Sequence, residues 1–152
     1  MSRGFRALKV WMTLRWFGAE GLRRQLARQV ALACHLHRLV TDHPDFEVLH
    51  EPRLFLYCFR FLPHALAGRR GEPAAEALLD ELNRTLADQL QRSGLALAMT
   101  SRLGGRTVLR FSICSHRTRE EDLDRTFAAL ARLGRALVPD TLARLPQADR
   151  VA

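Results

Sequence analysis

Residues 107–114 read Thr107-Val108-Leu109-Arg110-Phe111-Ser112-Ile113-Cys114, and the period of two that a strand imposes sorts them into two faces. Leu109, Phe111 and Ile113 fall on one side; Val108, Arg110 and Ser112 fall on the other, so one charged side chain stands on an otherwise uncharged strand. Two roles are open to an arginine there. It either snorkels from an edge strand into solvent, or it is a fixed cation aimed at an anionic group across a cleft.

The neighbouring residues give this strand its setting. Upstream, Leu95 to Ser101 reads as a strand of small and aliphatic residues, and Arg102-Leu103-Gly104-Gly105-Arg106 as the turn that makes the two a hairpin. The glycine pair lacks the strand-to-helix context of a phosphate-binding loop. Downstream, Thr118-Arg119-Glu120-Glu121 has the form of a capping box. The helix it opens should run to about Val138, with Leu123, Phe127, Leu130 and Leu137 inward and Pro139 as its stop.

Nearer the N-terminus, Leu78, Leu82, Leu86 and Leu90, with Leu79 beside them, predict a helix over 74–92 closed by Ser93-Gly94. Pro63 to Pro73 reads as a loop. Phe46 to His50 and Arg53 to Leu62 read as strands, the second with Phe55, Tyr57, Phe59 and Phe61 alternating with Leu54, Leu56, Cys58 and Arg60, so that both faces are covered. Leu22, Leu26, Val30, Ala33, Leu36 and Val40 predict a helix over 20–41. His35 and His37, two apart, do not share a helix face, so the pair is not read as a metal site. Phe5 to Phe17 is apolar almost all round and ends at Gly18. It reads either as a membrane-associated amphipathic segment or as a helix whose natural cover lies elsewhere, with Trp11 and Trp16 marking the surface to be covered.

This order predicts an α+β fold: one mainly antiparallel sheet of about four strands with helices on one face, preceded by a long linking helix. Residues 1–21 form the linking segment, 22–138 the domain and 139–152 a tail. A chain of 152 residues suits one core. The net charge of +8 comes almost wholly from arginines spread through every segment, not gathered into a nucleic-acid-binding patch. Cys34, Cys58 and Cys114 are too widely spaced for a metal or redox pair and read as small buried hydrophobes. The apolar run from Leu54 to Leu62 is broken by Arg60 and too short to cross a bilayer. A cytoplasmic protein without a membrane partner is the expectation.

Three separated stretches, taken in order, carry a resemblance: Ser2-Arg3-Gly4-Phe5-Arg6-Ala7-Leu8-Lys9-Val10-Trp11, Leu14-Arg15-Trp16-Phe17-Gly18-Ala19-Glu20-Gly21-Leu22, and Val108-Leu109-Arg110-Phe111-Ser112-Ile113. Asp45-Phe46-Glu47-Val48 and Leu56-Tyr57-Cys58-Phe59-Arg60 lie between them. With these motifs the chain resembles the C-terminal third of the group II pyridoxal-phosphate-dependent amino-acid decarboxylases, of the aromatic-L-amino-acid decarboxylase type. The resemblance implies the small C-terminal domain of a fold-type I enzyme, together with the helix that links it to the large domain. Its partners would be the remainder of the decarboxylase, a dimer mate and an L-amino-acid substrate. Pyridoxal 5'-phosphate would be the cofactor of the complete enzyme, with none expected on this chain alone, because the family's Asn-Pro-His-Lys-like motif does not occur in these residues and Lys9 is the one lysine. No catalytic, cofactor-binding or metal residue is therefore expected here. Two arginines are expected to face the substrate or active site: Arg110, matching an arginine that often meets the substrate α-carboxylate, and Arg3, the first of a family pair whose second member is replaced by Gly4. The rival reading is a stand-alone basic α+β module that binds nucleic acid or a protein.

Overall fold

The computed structural model describes residues 4–145. Its elements run α1 (Arg6–Thr41), β1 (Phe46–Val48), β2 (Leu56–Phe61), α2 (His64–Ala67), α3 (Pro73–Arg92), β3 (Met99–Leu103), β4 (Arg106–Ser112) and α4 (Glu120–Ala143). The strands form one sheet in the order β1-β2-β4-β3, with every pairing antiparallel. The two strands richest in pattern, β2 and β4, are therefore central. Gly104 and Gly105 take φ of 55° and 81° in the β3–β4 turn, the left-handed pair that a two-residue hairpin loop requires.

Alternation decides what is buried. Tyr57, Phe59 and Phe61 of β2 and Leu109 and Phe111 of β4, with Ile113 just beyond, meet Leu32, Leu36 and Val40 of α1, Leu79, Leu86 and Leu90 of α3, and Phe127 and Leu130 of α4 in one core. Phe59 and Phe111 stack across the strands with ring centroids 5.4 Å apart. Gly134 of α4 lies against Phe61 so closely that a Cβ there would come within 2.6 Å of the ring. Beyond Phe59, α3 inserts polar side chains beside the strands: Asn83 accepts from the Phe61 N–H at 2.8 Å and donates to its carbonyl at 2.9 Å, and Asp80 accepts from the Thr107 N–H at 2.8 Å.

Several boundaries differ from those expected, each for a local reason. The helices expected over 5–17 and 20–41 are two arms of α1, broken at Gly18, whose φ of 65° and ψ of 168° only glycine adopts freely. Leu26, expected inward, is exposed because the arm projects past the domain. β2 starts at Leu56, not Arg53, since Leu54 takes a positive φ within a tight turn closed by reciprocal Arg53–Leu56 backbone bonds. Its second face is not fully covered, Leu56 being exposed. The 63–73 loop contains the single helical turn α2. α4 is capped one residue late: the Asp122 carboxylate accepts the Arg119 N–H at 3.0 Å, and Arg119 offers no acceptor in return. Pro139 does not end α4, which continues through it to Ala143, so the tail expected from 139 begins as helix; 146–152 lie outside the described residues. The cysteines are not buried hydrophobes: Cys34 and Cys114 are exposed and Cys58 is half-buried.

The first arm of α1 has no cover. Phe5, Val10, Trp11, Met12 and Trp16 are all more than half exposed, Trp16 at 83%. An apolar surface of this kind normally meets a partner, and the chain alone should self-associate at tens of micromolar. Size-exclusion chromatography checks this: a clean monomer with shielded tryptophan fluorescence would mean that the arm folds back onto the domain. No helix among the described residues is long and apolar enough to cross a membrane.

Candidate functional site on the second face of the sheet

The second face of the sheet carries the even-numbered side chains of β2 and β4, and α3 reaches it at Arg60 through Glu76 and Asp80. The register sets Cys58 and Met99 directly opposite Arg110, one on each neighbouring strand, and Glu47 opposite Arg60. This face holds two kinds of arginine.

Arg60 is fully buried, its guanidinium 2.6 Å from Glu76 and 2.7 Å from Asp80. Arg106 sits 3.6 Å from Glu47 and 3.8 Å from Glu76, and Arg70 is 3.5 Å from Glu47. The network is satisfied except at two buried atoms, Arg60 Nε and Glu47 Oε2. Burial raises the Glu76 carboxyl, but hydrogen bonds from Arg60 and the Gly71 N–H, with the charges of Arg60 and Arg106, outweigh it and hold the group below its ordinary value.

Arg110 differs. It is half-buried, and its Nη2 approaches Met99 Sδ at 3.9 Å. No carboxylate among the described residues lies within ion-pair distance of it. Burial pushes the Cys58 thiol up, and the charge of Arg110 recovers only part of that shift, so the thiol stays neutral beside the cation. Met99 and Leu56 are exposed nearby. The face around Arg110 can receive an anion or an acidic surface.

On the helix side, His35 and His37 turn to separate partners, Asp124 at 2.7 Å and the Tyr57 hydroxyl at 2.9 Å. No group of three metal-binding side chains occurs among the described residues. Near the end of α1, burial lowers His43 below its ordinary 6.5; Asp45 opposes this and Arg135 adds to it.

Both depressed groups give acid sensitivity of the same sign. Glu76 contributes stability that is present above the unfolded carboxyl value and lost as pH falls through the folded one. His43, favoured neutral by the fold, contributes stability that is present above its unfolded value and lost as it is forced to charge. The melting temperature should therefore fall as pH drops below about 6.5 and again through the carboxylate range. Glu76→Gln should flatten the second decline; a melting temperature independent of pH from 8 to 3 would contradict both assignments.

Of the two arginines expected at a site, the structure places Arg110 on the second face, while Arg3 lies outside the described residues. Nothing in the sequence marks Cys58 or Met99 as a site residue. Only the hairpin register, which brings Met99 beside Arg110, could have signalled the latter.

The fold and this face define a helix-backed antiparallel domain whose second face carries one guanidinium without an ion-pair partner among the described residues. Comparison with known proteins gives it a family. The profile described as "Pyridoxal-dependent decarboxylase conserved domain" matches residues 1–62. Tyrosine decarboxylase 4 of Petroselinum crispum is 39% identical over 114 residues, which are 74% of this chain and 22% of that protein. Tryptophan decarboxylase 1 of Oryza sativa subsp. japonica is 36% identical over 115 residues, 76% of this chain and 22% of that protein. The crystal structure of Oryza sativa TDC with PLP and tryptamine superimposes with a TM-score of 0.75 at 32% identity, covering 89% of this chain and 28% of that one. The apo form of mouse CSAD gives a TM-score of 0.78 at 25% identity, covering 88% and 28%. The chain belongs to the group II pyridoxal-phosphate-dependent amino-acid decarboxylase family. It spans about a fifth of the length of the curated relatives it matches.

The residues described here do not fit the family's cofactor. Lys9, the single lysine of the sequence, is exposed on the uncovered arm of α1. No other described element packs beside it to wall in a ring or cradle a phosphate.

Proposed function

We propose that this chain works as the small C-terminal domain of a pyridoxal-phosphate-dependent L-amino-acid decarboxylase in the cytoplasm. The first arm of α1 links it to the large domain, and the second face of the sheet turns toward the active site and dimer mate. The observation that carries this reading is the un-neutralised Arg110 guanidinium on that face. It is poised for the substrate α-carboxylate or for an acidic group at the domain interface. Arg3 is proposed as a second active-site-facing cation on the linking segment. The reading of a nucleic-acid module is weakened by the pairing of surface arginines Arg23, Arg92, Arg125 and Arg144 with carboxylates of the chain itself.

Two measurements test the proposal. The 152-residue chain alone, mixed with pyridoxal phosphate and L-tyrosine or L-tryptophan, should release no carbon dioxide and give no stoichiometric borohydride-reducible adduct. Grafted in place of the C-terminal region of the Oryza tryptophan decarboxylase, it should support turnover. Arg110→Met in the graft should cost about ten- to a hundredfold in kcat/KM, the worth of a lost charge-assisted contact. Undiminished turnover of the Arg110→Met graft would overturn the role of Arg110; activity of the chain alone would overturn the domain assignment.

A further inference from the structure

On β4 every other strongly charged position of the second face is compensated. Arg106 has Glu47 and Glu76. On β2, Arg60 has Glu76 and Asp80, and its cross-strand neighbour is Glu47. Arg110 alone is paired across both strands with sulfur side chains. A carboxylate at either position would stand opposite the guanidinium, where cross-strand Cβ atoms are about 5 Å apart, close enough for an ion pair. From this contrast we infer that Cys58 and Met99 are positioning residues for Arg110: they fix its guanidinium by packing while leaving its charge free for an external carboxylate.

The chemistry of the two side chains suits the task. A thioether is polarizable, adapts its shape and bears no charge, and Met99 Sδ reaches Arg110 Nη2 at 3.9 Å without neutralising it. The Cys58 thiol is half-buried and held protonated by that burial. The pair therefore gives the arginine two walls and no counterion. A lysine would not be equivalent at this position, because the planar guanidinium can rest against a side chain and still present two parallel donors.

This inference rests on the proposed carboxylate-binding role of Arg110, and the experiment separates the two. The Arg110 Nε–Hε resonance of the full chain is followed while sodium acetate replaces sodium chloride at constant ionic strength. The wild type and Met99→Gln, which matches glutamate in shape without its charge, should shift alike. Met99→Glu and Cys58→Asp should lose the shift, while Cys58→Asn retains it. Amide spectra report whether each variant is folded, and Met99, half-exposed on an edge strand, is the position least bound up with folding. No shift in the wild type would remove the carboxylate-binding role itself. A wild-type shift that survives Met99→Glu, or that Met99→Gln also abolishes, would overturn the positioning role and leave the binding role standing.

Discussion

Asp80→Ala should destabilise the domain by about 3–5 kcal/mol, the usual consequence of removing one partner from a buried ion pair. The Asp80 side chain is 13% exposed, and its Oδ1 serves two groups at once, Arg60 Nη2 at 2.7 Å and the Thr107 N–H at 2.8 Å. Removing it leaves a fully buried guanidinium with Glu76 as its one close carboxylate, and a β4 amide without an acceptor. Asp80→Asn is the informative companion, since it keeps an acceptor for Thr107 and removes only the charge; it should fall between wild type and alanine. Urea unfolding measures both. An alanine variant within about 1 kcal/mol of wild type would mean that water replaces the carboxylate and that the network is not closed.

Phe111→Ala should cost about 3–5 kcal/mol, while Arg110→Met, one residue away, should change stability by no more than about 0.5 kcal/mol. Phe111 is 6% exposed and stacked on Phe59 in the centre of the core, so its loss removes apolar burial and leaves a cavity. Arg110 has only a sulfur contact to lose. Urea midpoints of the two variants, measured side by side, test the division of β4 into a structural and a functional face. If Arg110→Met unfolds the domain, the arginine is part of the fold's own electrostatics and the functional reading of that face fails.

Much of this was legible because it rested on short-range rules. The alternation of β4 placed Leu109, Phe111 and Ile113 inward, the glycine pair set the hairpin, and Gly18 marked the break in the first helix. The lengths of the elements and the cover each face receives are less legible, since they depend on contacts distant in sequence. Leu26 fits the helical period but has nothing to pack against, and Arg60 looked like an interruption of an apolar strand. Its burial is explained only once Glu76 and Asp80, on one face of α3 at a spacing of four, arrive beside it. Pro139 looked like a stop because proline lacks the N–H a helix needs; α4 instead carries it through to Ala143. The candidate site was half visible. Arg110 could be singled out from its strand, whereas its lack of an ion-pair partner among the described residues required the register of three strands.

The Asn83 amide has a consequence for misfolding. By accepting from the Phe61 N–H and donating to the Phe61 carbonyl, it reproduces the bonding of one residue in a further strand. Sliding β2 along its neighbours by two residues would keep the correct faces inward, so hydrophobic patterning alone does not forbid it. It would, however, pull Phe61 away from a side chain anchored by its own bond to the Leu79 carbonyl, and strand a buried amide without partners. Asn83 thus acts as a molecular key that admits one alignment of the sheet.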